Sequence, residues 1–185
     1  MARNWEERYA RADNLDFTPS PLLVEVAEWT LPGRALDLAS GHGRNALYLA
    51  GLGWSVAAVD SSRAAIQILR ERAAAARLAI DAHVADMESA VFAIEPSGYD
   101  LMCDFLYLQR SLFPQIREGV RPGGVFVAEI HLRDDAATDG PRSPAFVLEP
   151  GELRQEFSAW KILFYSEATS AHHNRATARI IARRA

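Results

Sequence analysis

Between Ala35 and Leu52 an apolar run, Ala35 to Leu38, gives way to the small-residue stretch Asp37-Leu-Ala-Ser-Gly-His-Gly-Arg-Asn45. The chain then passes at once into a helical pattern over Ala46 to Leu52. The junction predicts a strand that turns straight into a helix. Gly41 and Gly43 carry no Cβ, so the backbone of the turn can approach a bulky ligand, and the helix that follows offers amide groups with no partner inside it. The same two glycines would also suit a turn that is merely tight, and a lone Gly-x-Gly does not separate the two readings.

The next apolar run does help to separate them. Trp54 to Val59 ends in Asp60, 17 residues beyond Gly43, close to the spacing at which an acidic side chain meets a ribose diol in a doubly wound fold. Glycine turn and acidic strand end together point to a cofactor that contains a nucleoside. Asp37 adds to this, because an ionisable group in an apolar strand requires a partner.

The rest of the chain extends the alternation. Trp5 to Ala12 reads as a short helix, and Ser20-Pro21 as N-cap and first position of a helix from about Leu22 to Trp29. Ser61 or Ser62 caps a helix running to about Ala76, with an apolar stripe of Ala65, Ile68, Leu69, Ala73 and Ala76. Ile80 to Val84 and Tyr99 to Phe105 are strands, Leu112 to Gly119 a helix, Arg121-Pro-Gly-Gly124 a turn, and Val125 to Ile130 a fifth strand. A short helix over Glu152 to Phe157 precedes two strands, Lys161 to Ser166 and Thr177 to Ala182. Their short connection makes them an antiparallel pair. The expected fold class is α/β: a Rossmann-like, seven-stranded, mostly parallel sheet with the last strand antiparallel and helices on both faces.

A chain of 185 residues suits one domain spanning 1–185, with residues 1–30 as an N-terminal helical cap and 131–150 as a lid segment too long for a simple connection. Twenty basic against 24 acidic side chains, net charge -4, give no general attraction for nucleic acid. No apolar stretch reaches membrane-spanning length and the first residues are charged rather than apolar. Cys103 is the one cysteine, so neither a disulfide nor a cysteine-based metal site can be built within the chain, and a cytoplasmic location fits. The adjacent His172 and His173 point to opposite faces of an extended segment, so no metal is expected.

The order Ala35-Leu-Asp-Leu-Ala-Ser-Gly-His-Gly-Arg-Asn45, Val59-Asp60, Ala85-Asp86 and Arg121-Pro-Gly-Gly124 resembles the class I S-adenosylmethionine-dependent methyltransferases over nearly the whole chain. Trp5 to Tyr9, the run Gly43-Arg-Asn-Ala-Leu-Tyr-Leu-Ala50 and Arg110-Ser-Leu-Phe-Pro114 are similar to the small-molecule branch related to the tellurite-resistance methyltransferases. The resemblance implies S-adenosyl-L-methionine as cofactor and S-adenosyl-L-homocysteine as product. It implies that Asp37 and the turn Ala39, Ser40, Gly41, Gly43 face the methionine part, and that Asp60, with Ser61 beside it, holds the ribose hydroxyls. Asp86 would accept from the adenine amino group, Met87 pack on the ring and Phe105 lie near the methionine amine. Where the family often has glycine this chain has Ala39, tolerable if its φ stays negative, whereas bulk or a left-handed requirement there would argue against cofactor binding.

Transfer of a methyl group from a sulfonium is an in-line displacement that needs alignment more than a nucleophilic side chain. Candidate bases at strand ends are His131, Asp104 and the His172-His173 pair. No appended domain or Asn/Asp-Pro-Pro-Tyr segment is present, so the acceptor is expected to be a small molecule, and oligomeric state is not legible. Two rivals remain at this level: a cofactor-binding regulatory protein without catalysis, and an NAD(P)-dependent oxidoreductase, since Gly41 to Ala46 also satisfies Gly-x-Gly-x-x-Ala.

Overall fold

The computed structural model describes residues 5–11, 15–89, 92–134, 143–170 and 175–185. The His172-His173 pair and positions 135–142 of the expected lid lie outside them. The chain divides into two compact units, residues 1–92 and 93–185. Its seven strands belong to one sheet.

The first unit contains α1 (Trp5–Ala10), α2 (Pro21–Trp29), β1 (Arg34–Leu38), α3 (Arg44–Gly51), β2 (Ser55–Asp60), α4 (Arg63–Ala75) and β3 (Ile80–Val84). Its strands run parallel in the order β3-β2-β1, with Leu36 beside Ala57 and Ala58 beside Ala82. β1 is buried from Ala35 to Leu38, as a strand covered on both faces must be. Ser62 caps α4 by accepting from the Ala65 N–H at 3.1 Å. The buried face of α4 is Ala65, Ile66, Leu69 and Ala73, which corrects the expected stripe: Ile66 replaces Ile68, and Ala76 is exposed beyond the helix end. Ser20 stands at the N-cap of α2 but its hydroxyl makes no cap bond. The Leu23 and Val24 N–H groups donate to its carbonyl instead.

The second unit contains β4 (Tyr99–Phe105), α5 (Leu112–Gly119), β5 (Val120–His131), α6 (Glu152–Glu156), β6 (Lys161–Ser170) and β7 (Arg175–Arg183). Its strand order is β4-β5-β7-β6, with β4 and β5 parallel and β7 antiparallel to both of its neighbours. The single reversed strand is therefore β7, as the sequence pattern indicates. Arg121 to Gly124 does not form a free turn. It is absorbed into β5 as an irregularity between the Tyr99–Val120 and Leu101–Val125 pairs, held by Gly123 N–H to the Arg184 carbonyl and Arg184 N–H to the Gly124 carbonyl, both 2.9 Å. Gly123 takes φ +80°, and a Cβ on Gly124 would stand 2.9 Å from the Asp100 carbonyl oxygen, so both glycines are required for this bulge. Phe126 stacks on Phe157 at 4.7 Å, which in turn meets Phe113 and Trp160 edge-on. That aromatic cluster is the core of the second unit.

Candidate functional site

The carboxyl ends of β1 and β2 meet at the glycine turn. Ser40 N–H donates to the Val59 carbonyl at 2.9 Å, which carries the β1–β2 ladder one step past the strand, and Gly43 N–H donates back to the Ser40 carbonyl at 3.0 Å. Ala39, Gly41 and Gly43 take φ of +49°, +55° and +87°. Left-handed backbone at every second residue turns N–H groups into a hollow suited to negative charge.

Asp60 supplies that charge. Its Oδ2 accepts from the Gly41 N–H and its Oδ1 from the Ser62 N–H, both at 2.8 Å. The residue is 8% exposed, and burial pushes its pKa up despite the opposing N–H donors of Ser62, Gly41 and Ser61. The carboxylate is thus desolvated and fixed in orientation by backbone.

The two glycines do different things. A Cβ on Gly43 would run into Leu69 Cδ1 of α4 and stand 2.9 Å from its Cγ, so Gly43 lets α4 pack against the start of α3. On Gly41 a Cβ would collide with the Tyr9 hydroxyl and stand 3.3 Å from Tyr9 Cζ. Tyr9 belongs to α1, which is fastened to the start of α4 by Glu6: Ser62 Oγ donates to Glu6 Oε2 at 2.7 Å and the Ala64 N–H lies 3.2 Å from the same oxygen. Burial, with Asp60 adding its charge, raises the Tyr9 hydroxyl to about 12, so at neutral pH it is an uncharged donor.

His42 is half-buried. Its Nε2 donates to the Asp16 carbonyl at 2.7 Å, and its ring meets Phe17 edge-on at 4.8 Å and Tyr9 at 5.8 Å. Burial lowers its basicity. Asn45, buried at the start of α3, accepts from the Ser20 N–H at 2.9 Å. Sequence reasoning missed this clasp between the N-terminal segment and the turn. The available signal was the i, i+3 spacing of Glu6 and Tyr9 on one helical face.

The remaining candidates of the first unit surround this centre. Asp37 is buried in β1, Ser40 is buried and its Oγ has no hydrogen-bond partner among the described residues, and Ser61 is exposed. Asp86 follows β3 and accepts from the Glu88 N–H at 2.9 Å, closing a turn that leaves Asp86 exposed and Met87 buried. Ala39 departs from the expectation of negative φ: it takes the left-handed backbone that the sequence criterion counts against cofactor binding. Its left-handed backbone costs about 1–2 kcal/mol relative to glycine, so Ala39→Gly is expected to raise the melting temperature by about 2–4 °C per kcal/mol recovered, measured by thermal unfolding.

In the second unit, Asp104 and Phe105 are buried at the end of β4 and His131 ends β5. Register places Phe105 beside Glu129, and Asp104 beside Ala128, so Asp104 lies on the strand face opposite Glu129 and His131. Glu129 was not anticipated: it is 5% exposed and accepts from Thr177 Oγ1 at 3.0 Å. The described ends of the expected lid are tied down. The Arg133 N–H donates to the Leu148 carbonyl and the Leu148 N–H to the His131 carbonyl, both 2.8 Å, and Arg110 binds Glu152 and the Val147 carbonyl. Among the described residues no group of three or more His, Cys, Asp or Glu side chains could hold a metal ion, and no helix is long and apolar enough to cross a membrane.

With this geometry in hand, similarity to known proteins can be weighed. The chain is 31% identical over 160 residues to hemagglutinin 1 of Eikenella corrodens, covering 84% of this chain and 53% of that protein. It is 29% identical over 159 residues to the probable S-adenosyl-L-methionine-dependent methyltransferase TehB of Haemophilus influenzae, covering 82% and 54%. It therefore spans about half the length of the curated relatives it matches. The crystal structure of TehB from Haemophilus influenzae superposes with TM-score 0.77 at 25% identity, over 98% of this chain and 67% of that one. A [4+2]-cyclase, SpnF, superposes with TM-score 0.69 at 19% identity, over 88% and 79%, which speaks for the fold alone. The family model described as tellurite resistance protein TehB matches residues 3–183. A match from end to end of the two units, on a Rossmann-like sheet whose glycine turn encloses a strand-end carboxylate, means that this chain belongs to the TehB family, of the S-adenosylmethionine-dependent methyltransferase fold.

Proposed function

We propose that the chain is a single methyltransferase domain that binds S-adenosyl-L-methionine and transfers its methyl group to a small-molecule acceptor. The observation that carries this reading is Asp60. Its two oxygens accept the Gly41 and Ser62 N–H groups, with the Ser61 N–H adding to them, and a carboxylate offers about four lone-pair sites, so the pair of oxygens keeps acceptor capacity. Among the described residues no cation pairs with it. A vicinal diol, with two neutral donors at matched spacing, meets that demand.

Other features support the fit. Gly41 leaves the turn without a side chain, the buried Ser40 hydroxyl lacks a partner among the described residues, and Met87 is a buried apolar neighbour of the Asp86 turn, as an adenine site requires. When bound, the cofactor supplies a methyl group on a positively charged sulfur. Asp60, fixed by Gly41 and Ser62, would hold the sugar; Asp37, Ala39 and Ser40 would face the amino-acid tail; Asp86 and Met87 would take the base. Their contribution is alignment, because displacement at carbon depends on holding the reacting atoms collinear. In the second unit His131 and Asp104 remain the candidate bases and Phe105 a candidate cofactor contact. With one cysteine, the chain suits a reducing cytoplasm.

Isothermal calorimetry with S-adenosylmethionine and S-adenosylhomocysteine tests the reading, followed by transfer of labelled methyl to a panel of small amines, thiols, phenols and oxyanions. Saturable heat with both nucleosides and label in at least one acceptor is expected. Absence of heat with either, from folded protein, would overturn it. Heat without transfer would favour a binding protein, and fluorescence of bound reduced nicotinamide would favour an oxidoreductase.

A further inference from the structure

Near the carboxyl ends of β4 and β5 the second unit holds a carboxylate that no described cation neutralises. Glu129 is 5% exposed, and among the described residues its side chain has one partner, the Thr177 hydroxyl, which donates to Oε1 at 3.0 Å. Arg179 has its Cα opposite Glu129 but turns to β6: its Nε donates to Ser166 Oγ at 3.1 Å and its guanidinium lies 5.9 Å from the centre of the Phe164 ring. Register puts Phe105, Glu129 and Arg179 on one face of the sheet, joined two residues further along β5 by the His131–Thr177 pair. Phe126, three residues before Glu129, faces the other way onto Phe157, so Glu129 is no part of the aromatic core. Its backbone is fixed by the Leu106 N–H, which donates to the Glu129 carbonyl at 2.7 Å, with Leu106 held at φ +65°. Left-handed backbone at a leucine is strain of the kind that collects at ligand sites.

We propose that Glu129 binds the methyl acceptor, as the anchor for a small molecule that carries a positively charged nitrogen. This rests on the functional reading above and adds the acceptor's chemical class. A buried carboxylate costs free energy unless it is paired, and one hydroxyl does not pair it. Ligands of open α/β sheets bind outside the carboxyl ends of the strands, the end at which Glu129 and Phe105 are neighbours. A carboxylate beside an aromatic ring suits an ammonium group, whose charge meets the one while the other offers its electron-rich face. An oxyanion at the same place is repelled. While protonated and held, the anchored nitrogen has no lone pair to take a methyl group, so the acceptor carries a second, nucleophilic atom.

The test uses matched thiols and phenols whose side arm ends in an ammonium, a hydroxyl or a carboxylate: cysteamine, mercaptoethanol and mercaptoacetate, and tyramine with its hydroxyl and carboxylate counterparts. Each is titrated by calorimetry into the chain loaded with S-adenosylhomocysteine, and assayed for labelled methyl transfer from S-adenosylmethionine, with the unmodified chain, Glu129→Gln and Thr177→Val. In the unmodified chain affinity should fall from ammonium to hydroxyl to carboxylate. Glu129→Gln keeps an oxygen for Thr177, and should weaken ammonium binding by roughly ten- to a hundredfold, in KM rather than kcat. It should leave S-adenosylhomocysteine affinity unchanged and keep or raise the melting temperature, since a buried charge is gone. Thr177→Val should lower the melting temperature and change ammonium binding only a few-fold. A merely structural Glu129 would instead lose melting temperature in Glu129→Gln with ammonium binding intact. That pattern, no binding by any of the ammonium compounds, or a preference for carboxylates or inorganic oxyanions would overturn the anchor while S-adenosylhomocysteine still binds. Failure of the unmodified chain to bind S-adenosylhomocysteine overturns the functional reading and the anchor with it.

Discussion

Asp60→Asn is expected to weaken binding of S-adenosylmethionine and S-adenosylhomocysteine by about two orders of magnitude or more. A hydrogen bond to a charged group contributes about 1.5–3 kcal/mol, and the diol would make two. The fold should tolerate the change. The amide keeps one oxygen to accept from Gly41 or Ser62, and although one N–H loses its partner, the protein no longer holds a buried charge. Calorimetry set beside thermal unfolding separates the two effects. An affinity within threefold of wild type would remove Asp60 from the site.

The same carboxylate gives binding and stability opposite responses to acid. Burial raises its folded pKa above the ordinary 3.8, so between those two values the folded chain holds more protons than the unfolded one. Stability contributed at this site therefore grows as pH falls through the raised value, and is lost as pH climbs back through it. Affinity runs the other way, because protonation removes the acceptor that the ribose needs. The difference between wild type and Asp60→Asn, followed by calorimetry and by thermal unfolding across the mildly acidic range, should show both slopes.

Gly43→Ala should be far more damaging to the fold than Gly41→Ala. At Gly43 the methyl group meets Leu69, inside the α3–α4 contact, on backbone at φ +87°. Left-handed strain of about 1–2 kcal/mol and overpacking of about 1–3 kcal/mol sum to a loss of roughly 2–5 kcal/mol. For a chain of this size that is a fall in melting temperature of roughly 5–20 °C. At Gly41 the obstruction is the far end of the Tyr9 side chain, which can move, so the fold should lose only the backbone term. Gly41→Val, bulkier still, should abolish cofactor binding while the domain stays folded. Calorimetric affinity and melting temperature, read together, should rank the two positions in opposite order.

Much of this was legible in the sequence because it is local. Strand and helix limits fell within a residue or two for most elements, since an apolar run ending at a glycine turn or a serine cap announces its own end. The cap of α4 is narrowed to Ser61 or Ser62, of which the structure selects Ser62, and the reversed β7 is found by the short link from β6. What escaped was set by tertiary neighbours. Nothing in Gly41 and Gly43 distinguishes them until Tyr9 and Leu69 are known to face them. Ile66 rather than Ile68 completes the buried face of α4 because the helix is rotated by what it packs on, and Arg121 to Gly124 reads as a turn until Arg184 pairs with it. Glu129 lay unnoticed in an apolar strand because its partner, Thr177, is 48 positions away.

The reversed strand also orders assembly of the second unit. Among the described residues β6 pairs with β7 and with no other strand, while β7 joins it to β5. Until β7 docks, β6 is a ten-residue ribbon with neither of its edges satisfied, and β7 must enter between two segments that precede it in the chain. Pulsed hydrogen exchange during refolding should therefore show the amides of β6 gaining protection only together with those of β7.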